Sequence, residues 1–126
     1  MVPTGLRYTR EHEWIRVEGD RGVVGITEFA QEQLGDIVFV ELPKLGANVE
    51  REKTFGVVES VKTASDLYSP VSGTVVDVNA KLTDQPELVN SDPYGDGWMI
   101  VVQISDPSQV DSLLTSKQYE ELIADG

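Results

Sequence analysis

The side chain that most suggests chemistry is Lys62, in the stretch GVVESVKTASDLYSP at residues 56–70. An alternating apolar strand pattern ends just before this lysine, which places it at or next to the outer end of a hairpin. Hairpin turns usually contain Gly, Asn or Asp, because these residues tolerate positive φ. Here the connection reads Val-Lys-Thr-Ala. Departures from ordinary turn chemistry concentrate at functional sites, and an exposed amine on a flexible stem suits acylation by an enzyme.

Other kinds of catalytic and metal site are limited by the composition. The chain has no cysteine, which excludes a disulfide framework, a Cys-ligated zinc site and a cysteine nucleophile. His12 is the single histidine, so a His-based metal site has no second imidazole and a Ser-His-Asp triad would have to use it. We therefore expect no metal site, and any thiol chemistry has to come from an attached group.

The charge balance of the chain is strongly acidic. Ten Lys and Arg residues stand against 22 Asp and Glu residues, a formal net charge of −12 over 126 residues. This charge predicts neither nucleic acid nor an anionic membrane as a partner, because both would be repelled. It favours solubility or attraction to proteins with basic docking faces. No signal peptide opens the sequence and no apolar run approaches the ~20 residues of a membrane span, so we expect a cytoplasmic chain of bacterial type; a processed mitochondrial form would look the same.

Most of the remaining sequence predicts short β-strands. Five or six strands separated by Gly and Pro predict a mainly β fold, a small antiparallel sandwich or flattened barrel. The segments are HEWIRVEGD, RGVVGIT, DIVFVELP, KTFGVVESV, GTVVDVN and WMIVVQI.

Several details of this sheet follow from the pattern. The first segment reads as an edge-like strand that forms a hairpin with the second at residues 18–21. Alternation in DIVFVELP predicts that Ile37 and Phe39 share a face opposite the two valines. Residues 98–104 are the most apolar and are expected to be central. The segment ASDLYSPVSG reads as a turn-rich connection before a strand that begins at Thr74.

Helices are few and have clear end signals. Thr27 can cap the segment EFAQEQL and Gly35 can end it, which predicts a short helix near 27–35. Residues 79–97 read as a long connection with one helical turn at 87–89. A capping sequence with proline precedes SQVDSLL, and a capping box at 115–118 begins KQYEELIA. These C-terminal helices, at about 106–125, are expected to cover the sheet through an apolar face formed by Tyr119, Leu122 and Ile123.

The stretch GVVESVKTASDLYSPVSGTVVDVN, which contains Lys62, resembles the lipoyl attachment region of the glycine cleavage system H protein family, a family of lipoyl carriers. Ordered blocks along nearly the whole chain extend the resemblance: HEWIRVEGD, VGITEFAQEQLGDIVFVELP, NSDPYGDGWMI and LLTSKQYEELIA. The family fold implies a lipoyl/biotinyl-type flattened sandwich (a barrel-sandwich hybrid) with C-terminal helices, in one lipoyl-carrier domain over residues 1–126.

The resemblance implies a carrier rather than an enzyme. Lys62 matches the lysine that bears lipoate in amide linkage. The lipoyl arm would accept an aminomethyl group from glycine decarboxylase, the P protein, and pass it to aminomethyltransferase, the T protein. Dihydrolipoamide dehydrogenase, the L protein, would then reoxidise it. A lipoate ligase or lipoyl transferase would attach the group, and the chain is expected to be a monomer.

The resemblance also implies secondary site residues. Glu13 matches a family position associated with the cleft that holds the loaded arm, where a carboxylate could hold a cationic aminomethyl nitrogen. Asp66 is a second candidate for that contact. Alternatively, Glu59 and Asp66 help the lipoylating enzyme to recognise the hairpin. For Glu13 and Asp66, the alternative to a role in the cleft is that each is simply an exposed surface carboxylate. His12 is expected to be a structural or rim residue. Gln33 stands where some family members have a histidine, so this arm contact is altered.

Three other interpretations of Lys62 are weaker. Biotin carriers share the hairpin lysine, but their lysines are typically flanked by methionines, and Lys62 is flanked by Val61 and Thr63. An enzyme that used Lys62 to form a Schiff base would need a desolvated amine with a lowered pKa, and a hairpin end does not provide one. An unmodified acidic interaction module is the third. The mass of the intact protein distinguishes all of them.

Overall fold

The computed structural model describes residues 2–124 and contains nine strands and five helices within them. The strands are β1 (Arg7–Tyr8), β2 (Glu13–Glu18), β3 (Arg21–Ile26), β4 (Ile37–Glu41), β5 (Asn48–Val49), β6 (Thr54–Ser60), β7 (Ala64–Tyr68), β8 (Gly73–Val78) and β9 (Ile100–Ile104). The helices are α1 (Glu28–Leu34), α2 (Lys81–Asp84), α3 (Leu88–Ser91), α4 (Ser108–Asp111) and α5 (Ser116–Ala124).

The strands form two antiparallel sheets that enclose one main core. The larger sheet has the order β1-β2-β3-β9-β8-β5, and the smaller has the order β4-β6-β7. Apolar side chains from both sheets meet in this core, including Val24, Val58, Val75 and Val102, all nearly inaccessible to solvent. The predicted antiparallel flattened sandwich is therefore confirmed. The position of β9 between β3 and β8 confirms that the most apolar segment is central.

Three strand predictions were wrong in detail. The first predicted strand, β2, is not at an edge, because the two-residue strand β1 pairs with it and is too short to leave a pattern. The predicted turn-rich connection contains a whole strand, β7, in which only Leu67 is buried. In β4 a bulge between Ile37 and Phe39 breaks the alternation, so Val38 and Phe39 are both exposed.

The predicted hairpin and the predicted cap of α1 are present, whereas α4 begins at Ser108 with Pro107 as its N-cap residue and no side-chain cap. The β2–β3 hairpin closes with Glu18 opposite Arg21. The hydroxyl of Thr27 accepts a hydrogen bond from the backbone N–H of Ala30 and begins α1. Residues 79–97 contain two short helices instead of the single turn predicted, and α4 ends at Asp111, earlier than predicted.

The C-terminal helix α5 packs on a second, smaller cluster. The capping box is present, since Gln118 accepts a hydrogen bond from the backbone of Thr115 and donates its own N–H to the Thr115 hydroxyl. Tyr119 on α5 stacks on Tyr8 with ring centroids 4.7 Å apart, beside the buried Trp14. The helix thus covers the β1 side of the large sheet, as expected. Asp125, the last residue of the predicted helical cover, lies outside the described residues.

Candidate functional site

Lys62 is exposed in the three-residue connection between β6 and β7. The side chain of Ser60 shapes this turn: its hydroxyl accepts hydrogen bonds from the backbone N–H groups of Lys62 (3.3 Å) and Thr63 (3.1 Å). The backbone N–H of Ser60 also donates to the Thr63 carbonyl at 2.7 Å. Among residues 2–124 the non-glycine residues with positive φ are His12 and Glu52. The turn therefore uses no positive φ, which explains why it has no Gly or Asn.

The start of β4 and the end of α1 both lie against the turn. The backbone N–H of Val61 donates to the carbonyl of Asp36 at 3.0 Å, which ties the turn to the start of β4. Gly35, at the end of α1, has a φ of 84°, and a Cβ built there would lie 3.4 Å from Cε of Lys62. The side chain of Lys62 therefore passes over Gly35, which has no side chain to press against it.

Asn90, on α3, links the end of α1 to the start of β4. It was not identified from the sequence. Its side-chain amide donates to Gln31 and to the Gly35 carbonyl, each at 2.9 Å, and its oxygen accepts the N–H of Ile37 at 2.8 Å. These partners lie more than 50 positions away in the chain. No local pattern could have indicated them.

A cleft of about 370 Å³ opens at the far end of the β6–β7 hairpin. Its walls come from the loop before β2, the residues after β5, the end of β7 and the segment before α5. The residues that matter most for its chemistry are Glu13 and Tyr68, with Arg10, Arg51 and Glu52 also lining it. The cleft therefore combines apolar walls with charges of both signs.

Glu13 is a buried carboxyl in the wall of this cleft, only 1% exposed. Thr9 donates its hydroxyl proton to one carboxyl oxygen at 2.6 Å, and the backbone N–H of Tyr68 donates to the other at 3.2 Å. Burial raises the pKa of Glu13 to about 8, although both hydrogen bonds oppose that rise. Burial thus favours the neutral acid form of Glu13, and a nearby cation would help to ionise it. The alternative of simple surface exposure does not apply to it.

The local backbone explains why Glu13 points inward. The hydroxyl of Thr9 accepts hydrogen bonds from the N–H groups of Glu11 and Glu13, which closes a tight loop. His12 in this loop has a φ of 71°, a conformation that costs energy for a residue with a Cβ. The loop reverses the chain and directs the carboxyl of Glu13 toward Tyr68.

Asp66 does not join Glu13 in the cleft wall. It is exposed on β7 and lies opposite Val57 in the register. Alternation along β7 puts Ala64, Asp66 and Tyr68 on one face. Asp66 therefore lies between Lys62 and the cleft along the strand.

His12 is held as a structural residue. Its Nδ1 lies 2.8 Å from the hydroxyl of Tyr119, and its ring packs against Phe29 with centroids 4.8 Å apart. Burial lowers the pKa of His12. This agrees with the structural or rim role expected for it, whereas Gln33 is exposed on α1.

Residues 2–124 show neither a metal-binding cluster nor a membrane-spanning helix. They contain no group of three or more His, Cys, Asp or Glu side chains placed to hold a metal ion. None of the helices in this part of the chain is long and apolar enough to cross a membrane.

The two antiparallel sheets and the exposed lysine at the β6–β7 turn agree with the flattened sandwich and hairpin lysine expected from the sequence. The family model for the glycine cleavage H-protein matches residues 6–126, and the chain belongs to this family. Membership gives it a role in the glycine cleavage system, whose H protein is a carrier subunit.

Relatives match the chain over almost its full length. A glycine cleavage system H protein of Symbiobacterium thermophilum is 57% identical over 125 residues, covering 99% of this chain and 98% of the relative. The protein of that name from Geobacillus kaustophilus is 60% identical with the same coverage. The crystal structure of a glycine cleavage system H protein from Mycobacterium marinum superposes with a TM-score of 0.90 at 43% identity, covering 98% of this chain and 99% of that one.

Proposed function

We propose that this chain is the lipoyl carrier of the glycine cleavage system, with lipoate attached to Lys62. In this role it accepts an aminomethyl group from glycine decarboxylase, presents it to aminomethyltransferase and is reoxidised by dihydrolipoamide dehydrogenase. The chain itself is a non-catalytic shuttle. The observation that carries the proposal is the exposed Lys62 amine on a turn built by Ser60.

The residues around Lys62 fit an attached lipoyl group. The amine is exposed, and Gly35 leaves room beside the lysine stem. When bound, the group supplies a ring disulfide, which becomes a pair of thiols when it is reduced. The chain contributes no cysteine, so no internal thiol can exchange with that disulfide.

Glu13 is proposed as the residue that receives the amine end of the loaded arm. Tyr68 follows Lys62 by six positions, a distance of about 20 Å along an extended strand. The lysine side chain alone is too short for this span, so only an extended group on its amine could reach the cleft. There a protonated amine would pair with ionised Glu13. Asp66, on the same face of β7, is proposed as a second contact along that route.

The proposed partners follow from this role. They are glycine decarboxylase (P protein), aminomethyltransferase (T protein), dihydrolipoamide dehydrogenase (L protein) and a lipoate ligase or lipoyl transferase. The net charge of −12 would steer the chain toward basic docking faces. We propose a single lipoyl-carrier domain over residues 1–126 that acts as a monomer in the cytoplasm.

The substitution Lys62→Arg tests the carrier role. Arginine keeps the positive charge but has no amine that can be acylated. We expect complete loss of glycine-dependent carbon dioxide exchange with the decarboxylase, with an unchanged far-UV circular dichroism spectrum. Lys53→Arg, another exposed lysine of the chain, is the matched control and should retain exchange. Exchange retained by Lys62→Arg would refute the assignment.

The proposed role of Glu13 needs a separate readout. We expect Glu13→Ala to be lipoylated and loaded normally but to release the aminomethyl group faster, because the amine has lost its buried acidic partner. The release rate is followed with labelled glycine. A rate equal to that of the parent chain would contradict the role.

A further inference from the structure

The side of the three-stranded sheet turned away from the core carries an unusual combination of side chains. We call this surface the outer face. The register aligns Phe39, Glu59 and Ala64 in one row and Glu41, Val57 and Asp66 in the next. The alternate row of Val40, Val58 and Ser65 turns toward the core, with Val58 fully buried. The first two rows therefore point outward.

Large apolar side chains are exposed beside this face. Val38 is 54% exposed, Phe39 49% and Val61 69%. The β4 bulge that broke the predicted alternation is what turns both Val38 and Phe39 outward. The hydrogen bond between the N–H of Val61 and the carbonyl of Asp36 brings the third side chain to the start of the same strand. These three exposed side chains, which we call the apolar cluster, thus lie at the end of the sheet that carries the Lys62 turn.

The charges around this cluster are of one sign. Strands β4, β6 and β7 contain Glu41, Glu59 and Asp66 but neither Lys nor Arg. Asp36 adds a fourth carboxyl at the start of β4, and Lys62 is the single cation of residues 54–68. A protein that fits this surface would present an apolar centre with Lys and Arg around it.

Acylation of Lys62 indicates which protein would bind the outer face. Acylation joins Nζ to the acyl carbon of an activated donor, expels the donor's leaving group and releases a proton. The enzyme that does this must bring its active site to within bonding distance of Nζ, so it must cover the turn and its neighbours. Enzymes that act at the far end of a long arm have no such requirement.

We propose that the outer face, together with Val38, Phe39 and Val61 at the end that carries Lys62, is the docking surface for the enzyme that attaches lipoate to Lys62. The proposal rests on the proposed function, because it takes Lys62 as the acylated residue. It adds that the enzyme recognises the small sheet and its bulge as well as the turn. The enzyme's complementary face is apolar in the centre and rich in Lys and Arg at the rim.

The test measures acylation of the full, unmodified chain by a lipoate ligase supplied with lipoate and ATP, followed by intact mass. Two variants alter the outer face: the double substitution Val38→Ser with Phe39→Ser, and Glu59→Lys. The matched controls are Val17→Ser, an exposed apolar residue on the large sheet, and Glu120→Lys on α5. Circular dichroism and melting temperature establish that each variant is folded.

We expect both outer-face variants to lower kcat/KM for the chain by about tenfold or more, as loss of an interface hot spot would. The change should lie in KM, with kcat unaltered. The effect of Glu59→Lys should weaken as salt is added, because exposed charges are screened. The controls should stay within about twofold of the parent chain, as surface substitutions usually do.

Each other outcome has a separate meaning. If the parent chain is acylated on Lys62 and the outer-face variants keep its KM, the docking proposal is overturned and the carrier role stands. If the parent chain is not acylated on Lys62, the proposed function itself fails. If sedimentation shows a dimer that only the outer-face variants disrupt, and acylation is unchanged, the face serves self-association instead.

Discussion

Glu13 makes the stability of this protein depend on pH in an unusual direction. Most carboxyl groups in folded proteins have lowered pKa values and stabilise the fold as pH rises. Burial raises the pKa of Glu13 from 4.5 to about 8, so the folded state prefers the neutral acid. The contribution of Glu13 is fully present below pH 4.5 and is lost as the pH rises through about 8. Replacing it with glutamine, which is neutral at every pH, should remove this dependence.

The magnitude follows from the size of the shift. One pKa unit corresponds to about 1.4 kcal/mol, so the shift from 4.5 to about 8 amounts to at most about 5 kcal/mol of unfolding free energy. Glu13 is 1% exposed, so solvent screening does little to reduce this figure. The unfolding free energy of the parent chain, relative to that of Glu13→Gln, should fall by this order between pH 4.5 and 8.5.

The assay is urea denaturation at a series of pH values, followed by the fluorescence of the two tryptophans, the buried Trp14 and the half-buried Trp98. Taking the difference between the parent chain and Glu13→Gln cancels the titration of His12, whose lowered pKa affects both proteins alike. Glu120→Gln, on the exposed surface of α5, is the control and should keep the pH dependence of the parent. A difference that changes by less than about 1.4 kcal/mol, one pKa unit, would refute a neutral Glu13.

Three further substitutions test the supports of the site, each by urea denaturation. Ser60→Ala removes the hydroxyl that holds the lysine turn and should cost about 1 kcal/mol, with faster hydrogen exchange of the two turn amides; unchanged exchange would contradict its role. Tyr119→Phe removes the hydroxyl that bonds to His12 and Thr27 and should cost about 1–3 kcal/mol; a neutral result would mean that these bonds do not anchor α5. Gly35→Ala places a Cβ at a φ of 84° and should cost about 1–3 kcal/mol; an unchanged unfolding free energy would contradict a need for glycine at the end of α1.

The sequence predicted the parts of the fold that rest on local signals. Alternating apolar residues indicated most of the longer strands, and capping residues such as Thr27 identified the helix ends because a cap forms within one turn. The strands it missed have weak patterns: β1 and β5 have two residues each, and β7 buries only Leu67. The bulge at Val38 could not be predicted, because it depends on how β4 registers with β6.

The candidate site also has features that local sequence could predict and features that depend on residues far apart in the chain. Lys62 was recognised because its own turn lacks Gly and Asn, a local feature of the sequence. The reason, the hydroxyl of Ser60, is also local and could have been proposed from a serine two residues before the lysine. The burial of Glu13 could not, because Tyr68 lies 55 positions away. Its raised pKa is a property of the assembled cleft.

The mass of the intact protein tests the central claim most directly. The chain has five lysines, and its production in a lipoylating cell with excess lipoate should add one lipoyl group. Peptide mapping should place that group on Lys62, and Lys62→Arg produced in parallel should gain none. A biotinyl group, or a lipoyl group on any of the other four lysines, would contradict the account.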